Sequence, residues 1–228
     1  MKIVEIFKSI QGEGKYIGTA TAFLRTAGCN LNCIYCDTKY SWDKYKELSI
    51  KNILEKIEKL ETRVITITGG EPLLQFEECN ELIKNLIEEE KLVILETNGI
   101  LADKLEVLAK YDIILSISIK TETFIGNEID YNDTFKMLNT LKNTSYIKVV
   151  FTPHDNVEKL QETVSKIRKY NNKIEIFLQP ANIDNRFLNY KTFIKNFWLE
   201  FLKNRYLYEN CRLLPQLHKI IFWNKRRI

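Results

Sequence analysis

The chain has no apolar run near the roughly 20 residues that a membrane-crossing helix needs. It has no low-complexity tract and no linker rich in proline, glycine or serine. Glycine (8 of 228 residues) and proline (4) are sparse, which excludes collagen. Disorder is excluded by the 45% of hydrophobic residues. No G-x-G-x-x-G follows the first strand candidate, which argues against a dinucleotide fold. Charge of one sign is also lacking: 34 Lys+Arg stand against 30 Asp+Glu, a net +4. So mild a surplus argues against direct nucleic-acid binding and suits an anionic small substrate or an acidic partner. Met1-Lys2-Ile3-Val4-Glu5 carries charge inside its first apolar run, unlike a signal peptide, so a cytoplasmic protein with no membrane contact is expected. There, five cysteines argue for metal binding or catalysis and not for disulfides.

Short apolar, β-branched runs recur at 2–8, 20–26, 63–68, 91–96, 112–119, 146–151 and 174–178. Helical spacing fills the gaps. The first helix spans 49–61, with Ser49 as its cap and Ile50, Ile53, Leu54, Ile57 and Leu60 on one face. Others fall near 76–90, 102–110, 133–143, 155–170 and 189–204. This alternation implies βαβ units and a parallel sheet. The expected fold is α/β: one domain over 1–228, a partial (β/α)6 TIM-like barrel with mostly parallel strands. A preliminary N-terminal strand and a C-terminal extension flank it.

Each unusual motif falls just after a strand candidate. Gln11-Gly12-Glu13-Gly14 follows the first and Gly28–Thr38 the second. Gly69-Gly70-Glu71-Pro72 and Thr97-Asn98-Gly99 follow the next two, while Lys120 and Gln179-Pro180 end later ones. In parallel α/β folds ligands bind at the carboxyl ends of strands, so these motifs should meet on one rim. Cys29, Cys33 and Cys36 form C-x3-C-x2-C, with Asn30, Asn32 and Asp37 making the loop polar. Three thiolates on one short loop hold three irons of a cubic cluster and leave the fourth open. The alternative is a zinc site, which needs a fourth ligand from Cys79, Cys211, His154 or His218.

The cysteine loop, with Tyr35 just before its last cysteine, resembles the signature of the radical S-adenosylmethionine (SAM) superfamily. The resemblance implies a 4Fe–4S cluster on the three cysteines, SAM on the open iron, and a full or partial (β/α)6 barrel. Within that superfamily, three segments resemble the 7-carboxy-7-deazaguanine synthases. They are Glu5-Ile6-Phe7-x-Ser9-Ile10-Gln11-Gly12-Glu13-Gly14, then Phe23-x-Arg25-x-x-Gly28-Cys29 into Cys36-Asp37-Thr38, and Arg212–Lys219. The segment 184–210 matches nothing in that pattern.

The implied reaction rearranges 6-carboxy-5,6,7,8-tetrahydropterin to 7-carboxy-7-deazaguanine with loss of ammonia, for queuosine-type deazapurine pathways that serve tRNA modification. On this resemblance Tyr35, Asp37, Gly70, Glu71, Ser118, Lys120, Gln179 and Pro180 would face SAM. Ile10, Gln11, Gly12, Glu13, Arg25, Thr68 and His218 would face the pterin, and Thr38 would bind Mg²⁺. The family usually has proline where Ile119 stands. The guanidinium of Arg25 suits a carboxylate, and if turned inward it needs a compensating anion, which a bound carboxylate would provide. A homodimer and a flavodoxin- or ferredoxin-type reductant are further implications. The rival readings are a glycyl-radical activase of the same superfamily and a non-enzymatic zinc module.

Overall fold

A computed structural model describes residues 1–183 and 186–222. It opens with an antiparallel pair, β1 (Lys2–Ile10) against β2 (Ala20–Thr26), and a short β3 (Lys46–Glu47) pairs on the other side of β1. Strand and helix then alternate: α1 (Ile50–Glu58), β4 (Val64–Gly69), α2 (Phe76–Glu88), β5 (Leu92–Thr97), α3 (Ala102–Leu108) and β6 (Ile114–Lys120). Two short helices, α4 (Glu122–Ile125) and α5 (Asn132–Met137), precede β7 (Tyr146–Phe151), α6 (Val157–Tyr170) and β8 (Glu175–Pro180). The described chain ends with α7 (Phe187–Lys203), α8 (Arg205–Asn210), β9 (Arg212–Leu213) and α9 (Leu217–Phe222).

The strands form one sheet in the order β3-β1-β2-β4-β5-β6-β7-β8-β9, parallel from β2 to β9. Among the described residues it does not close, so the architecture is α/β with an open, partial barrel. The expected strands and helices all form, shifted by at most a few residues. Ser49 does cap α1, accepting from the Asn52 N–H at 3.2 Å. The helix expected at 133–143 divides into α5 and a 3-10 turn, Leu138–Thr140. Of the unmatched segment 184–210, residues 184 and 185 lie outside the described residues.

Alternation along each strand sets two faces. On β7, Ile147, Val149 and Phe151 join the large core between sheet and helices, while Tyr146 joins Val64, Ile94, Ile114 and Phe177 in a second, inner cluster. That cluster plugs the inner floor of the sheet. Further along the same face come polar residues: Thr68 and Glu96, Ser118 and Lys148, then Gln179. Ile119 stays on the outer face at 3% exposure, in register with Val149, so β6 runs unbroken through this position.

Candidate active site

The strand ends and the loops that follow them enclose one cavity of about 900 Å³. All the site residues expected from sequence line it except Glu71 and Pro180. The loop after β1 is shaped by Gln11, whose Oε1 accepts from the Glu13 N–H at 3.1 Å and whose Nε2 donates to Glu96 Oε1 at 3.2 Å. Ile10 stands at the mouth, 47% exposed. Gly12 is pressed against the His218 ring, and its carbonyl accepts from the Leu217 N–H at 2.9 Å. The start of α9 thus lies over this loop and brings His218 to the cavity.

Arg25 and Thr68 are register partners on β2 and β4, so both leave the sheet on the same face. Arg25 Nε donates to Glu5 Oε1 at 2.8 Å, and the Tyr40 hydroxyl donates to the same oxygen at 2.9 Å. The anion that compensates this arginine is therefore already in the chain, which corrects the expectation that a ligand would have to supply it. Deeper in, Thr68 Oγ1 donates to Glu96 Oε2 at 2.8 Å. Lys148 Nζ lies 2.6 Å from Glu13 Oε2 and 3.6 Å from Glu96 Oε1, and Gln216 Nε2 donates to Glu13 Oε1 at 2.6 Å. Burial alone would raise the Glu13 carboxyl, but the Lys148 ammonium, His218 and these hydrogen bonds hold it well below the usual range.

The cysteine loop follows β2. Cys33 is buried against Phe124, Ile125, Val150 and Ala181, and Cys29 and Cys36 are half-buried. Helix α4 backs the loop: Ile34 N–H donates to the Ile125 carbonyl at 3.3 Å, and Tyr35 packs on Phe124 at 6.5 Å between ring centres. The three thiols are free and line the cavity together. Among the described residues no three His, Cys, Asp or Glu converge closely enough for one metal ion. Three thiols from one loop suit three irons of a 4Fe–4S cluster, whereas a structural zinc takes four ligands. Burial pushes the Cys33 and Cys36 thiols up, so deprotonation there has to come with the metal. Cys79 and Cys211 lie apart in the main core, each pushed up to about 12 by burial.

Gly70 docks directly on the cysteine loop, and Glu71 N–H donates to the Gly28 carbonyl at 2.8 Å. The Glu71 side chain turns away from the cavity. Its Oε1 accepts from the Leu73 N–H (3.1 Å) and Thr97 Oγ1 (2.9 Å), and its Oε2 from the Asn98 N–H (2.8 Å). Glu71 is thus a fully buried brace between two loops and is not part of the cavity lining. Asn98 Nδ2 extends the brace to Asn30 Oδ1 at 2.7 Å, inside the cysteine loop. Pro180 likewise turns from the cavity; its carbonyl accepts from the Tyr190 hydroxyl at 3.2 Å, while Gln179 faces in. Ser118 and Lys120 line the wall beside the cysteine loop, and the Lys120 ammonium lowers the Cys33 and Cys36 thiols against the effect of burial.

At the mouth, Thr38 N–H donates to Cys36 Sγ at 3.4 Å and Thr38 Oγ1 to Asp37 Oδ1 at 2.7 Å. Asp37 Oδ2 lies 3.3 Å from Lys219 Nζ. Desolvation opposes the charge on Asp37, but Lys219, Thr38 and His218 hold its carboxyl below the ordinary range. Sequence reasoning missed Lys148, Glu96, Gln216, Glu5 and Lys219 as members of the site. Two left a readable signal: Lys148 is a single charge inside the apolar run YIKVVF, and Glu96 ends another such run.

The model of the radical SAM superfamily matches residues 23–190. Over 103 residues, 44% of each chain, the sequence is 48% identical to 7-carboxy-7-deazaguanine synthase of Hyperthermus butylicus. It is 30% identical to that of Thermoplasma acidophilum over 97% of both chains. The crystal structure of QueE from Escherichia coli superposes with a TM-score of 0.65, at 20% identity, over 95% of this chain and 94% of that one.

Proposed function

The chain belongs to the 7-carboxy-7-deazaguanine synthases of the radical SAM superfamily, and on that premise we propose that its cavity converts 6-carboxy-5,6,7,8-tetrahydropterin to 7-carboxy-7-deazaguanine with release of ammonia. One observation carries the assignment of this chemistry to residues. A single cavity has a three-cysteine loop on one wall and, on the other, an arginine fork above a floor of amide and carboxylate groups. A glycyl-radical activase needs neither the arginine nor the floor.

Cys29, Cys33 and Cys36 would hold a 4Fe–4S cluster, which would supply the reductive cleavage of SAM and thereby the removal of a hydrogen atom from the substrate. Around it, Gly70 lets backbone approach SAM without a side chain between. Tyr35, Asp37, Ser118, Lys120 and Gln179 supply polar contacts to its amino-acid and ribose parts. Arg25 gives Nε to Glu5 and offers its Nη groups to the pterin carboxylate. His218 lies over the same side. Gln11, the Gly12-Glu13 backbone and Thr68 bind the ring, and Ile10 covers the mouth.

Thr38 is the Mg²⁺ ligand in this reading. Its hydroxyl proton goes to Asp37, which leaves its lone pairs for the ion, and oxygen donors suit Mg²⁺. The reading also includes a single domain, a homodimer, a flavodoxin- or ferredoxin-type donor, a cytoplasmic setting and a product used in tRNA modification.

The test is anaerobic incubation with SAM, a strong reductant, Mg²⁺ and 6-carboxytetrahydropterin, followed by mass analysis. Equal amounts of 7-carboxy-7-deazaguanine and ammonia are expected. Protein that cleaves SAM reductively but leaves the pterin intact would contradict the reading.

A further inference from the structure

Lys148 is the least exposed charge in the cavity wall, its side chain 4% exposed on β7. Two carboxylates converge on it from different elements: Glu13 from the loop after β1 and Glu96 from the end of β5. One ammonium against two carboxylates leaves the cavity floor with net negative charge. Every remaining hydrogen bond to these carboxylates comes from a neutral donor: Gln216 to Glu13, Gln11 and Thr68 to Glu96. An ion pair needed only for packing would balance its charges and point away from the cavity. This one is unbalanced, and all three members line the cavity.

We propose that Lys148 is a positioning residue that holds Glu13 and Glu96 together as paired acceptors for the N–H-rich edge of a 2-amino-4-oxopyrimidine ring, and so selects that ring class. The inference rests on the pterin reading above. The amino group and ring N–H of such an edge are donors side by side, which carboxylate acceptors match. Without the ammonium, two carboxylates would share a low-dielectric pocket, and one would take up a proton. That turns an acceptor into a donor and opposes the ring's own N–H groups. The other titratable groups facing this cluster are Tyr146 on β7 and His218 from α9, while the flanking β6 and β8 present Ser118 and Gln179.

The experiment compares the parent with Lys148→Met and Lys148→Arg, using turnover of 6-carboxytetrahydropterin and calorimetric binding of 6-carboxypterin, its air-stable oxidised form. In Lys148→Met, KM should rise on the order of 100-fold, the scale for stripping one partner from a buried charge pair. kcat should change less, and iron content and substrate-free SAM cleavage should match the parent. Between about pH 5 and pH 7, below the range in which the ligand's own ring N–H ionises, binding to this variant should strengthen as the extra proton leaves, while the parent stays flat. Lys148→Arg keeps the charge and should stay within about tenfold of the parent. If Lys148→Met does not fold, Glu13→Gln with Lys148→Met removes the excess charge and should bind without the pH slope.

Parent-like binding by Lys148→Met, parallel pH profiles, or an arginine variant as weak as the methionine one would overturn the inference. So would a pH slope in the double variant. A parent that turns over no 6-carboxytetrahydropterin would overturn the functional reading, and with it this inference. Normal parental turnover with an unaffected Lys148→Met variant would overturn the inference alone.

Discussion

Arg25 shows how a single residue is both legible and incomplete in sequence. Alternation along β2 puts it on the inner face with Phe23, while Leu24 is fully buried in the outer core. Its partner Glu5 was out of reach, because that pair depends on the antiparallel register in which Glu5 lies opposite Arg25. Arg25→Lys keeps a charge for Glu5 but loses the fork, so pterin affinity should fall by about 1–3 kcal/mol. Calorimetry with 6-carboxypterin checks this, and iron content should not change. The Glu71 carboxylate has a structural job that its place beside two glycines did not reveal: it is fully buried outside the cavity lining and accepts from three donors of its own chain. Gly70 needs its missing side chain, because a Cβ there would collide with the Gly28 carbonyl. Gly70→Ala should push the cysteine loop off its seat, and iron per chain should fall while far-ultraviolet dichroism stays native. Unchanged iron content would show that the close approach does not matter to the cluster loop.

At the scale of elements, strands and long helices were legible because their periods, two and 3.6, extend over many residues. Short pieces such as β3, α4, β9 and α9 have no room for a period. Two of them matter to the site: α4 backs the cysteine loop, and α9 brings His218 and Lys219 over the cavity. The loop-to-loop brace through Glu71, Asn98 and Asn30 was illegible for the same reason, since it joins residues 27 and 68 positions apart. Ser49 is a clean control for element stability. Ser49→Ala removes the cap of α1 and should cost about 1 kcal/mol. In a chain of this size that lowers Tm by roughly 2–4 °C. Turnover should be unchanged, since Ser49 lies outside the cavity.

For the whole molecule, the rule that ligands gather at the carboxyl ends of parallel strands is enough to place the cavity. Its charge arrangement was hidden, because Glu13, Lys148 and Gln216 meet across 135 and 203 positions of chain. That arrangement has a pH consequence. Glu13 and Asp37 titrate below their ordinary values of 4.5 and 3.8 in the folded chain. Their contribution to stability is complete above those values and is lost as pH falls through the depressed ones. Glu71, raised by burial, acts in the opposite sense: its contribution is complete below its ordinary value of 4.5 and shrinks as pH rises. Glu13→Gln should therefore flatten the acid limb of stability measured by denaturant titration at stepped pH. An unaltered limb would show that Glu13 is not one of the groups behind it.

The central claim is that the loop carrying Cys29, Cys33 and Cys36 bears an iron–sulfur cluster at the rim of this cavity. The most direct measurement is the visible spectrum of anaerobically purified protein together with its iron, sulfide and zinc content. The account predicts brown protein with about four irons and four sulfides per chain. The colour should be lost when any of the three cysteines is replaced by alanine, and kept in Cys79→Ala and Cys211→Ala. Colourless protein with stoichiometric zinc, or a cluster that depends on Cys79 or Cys211, would contradict it.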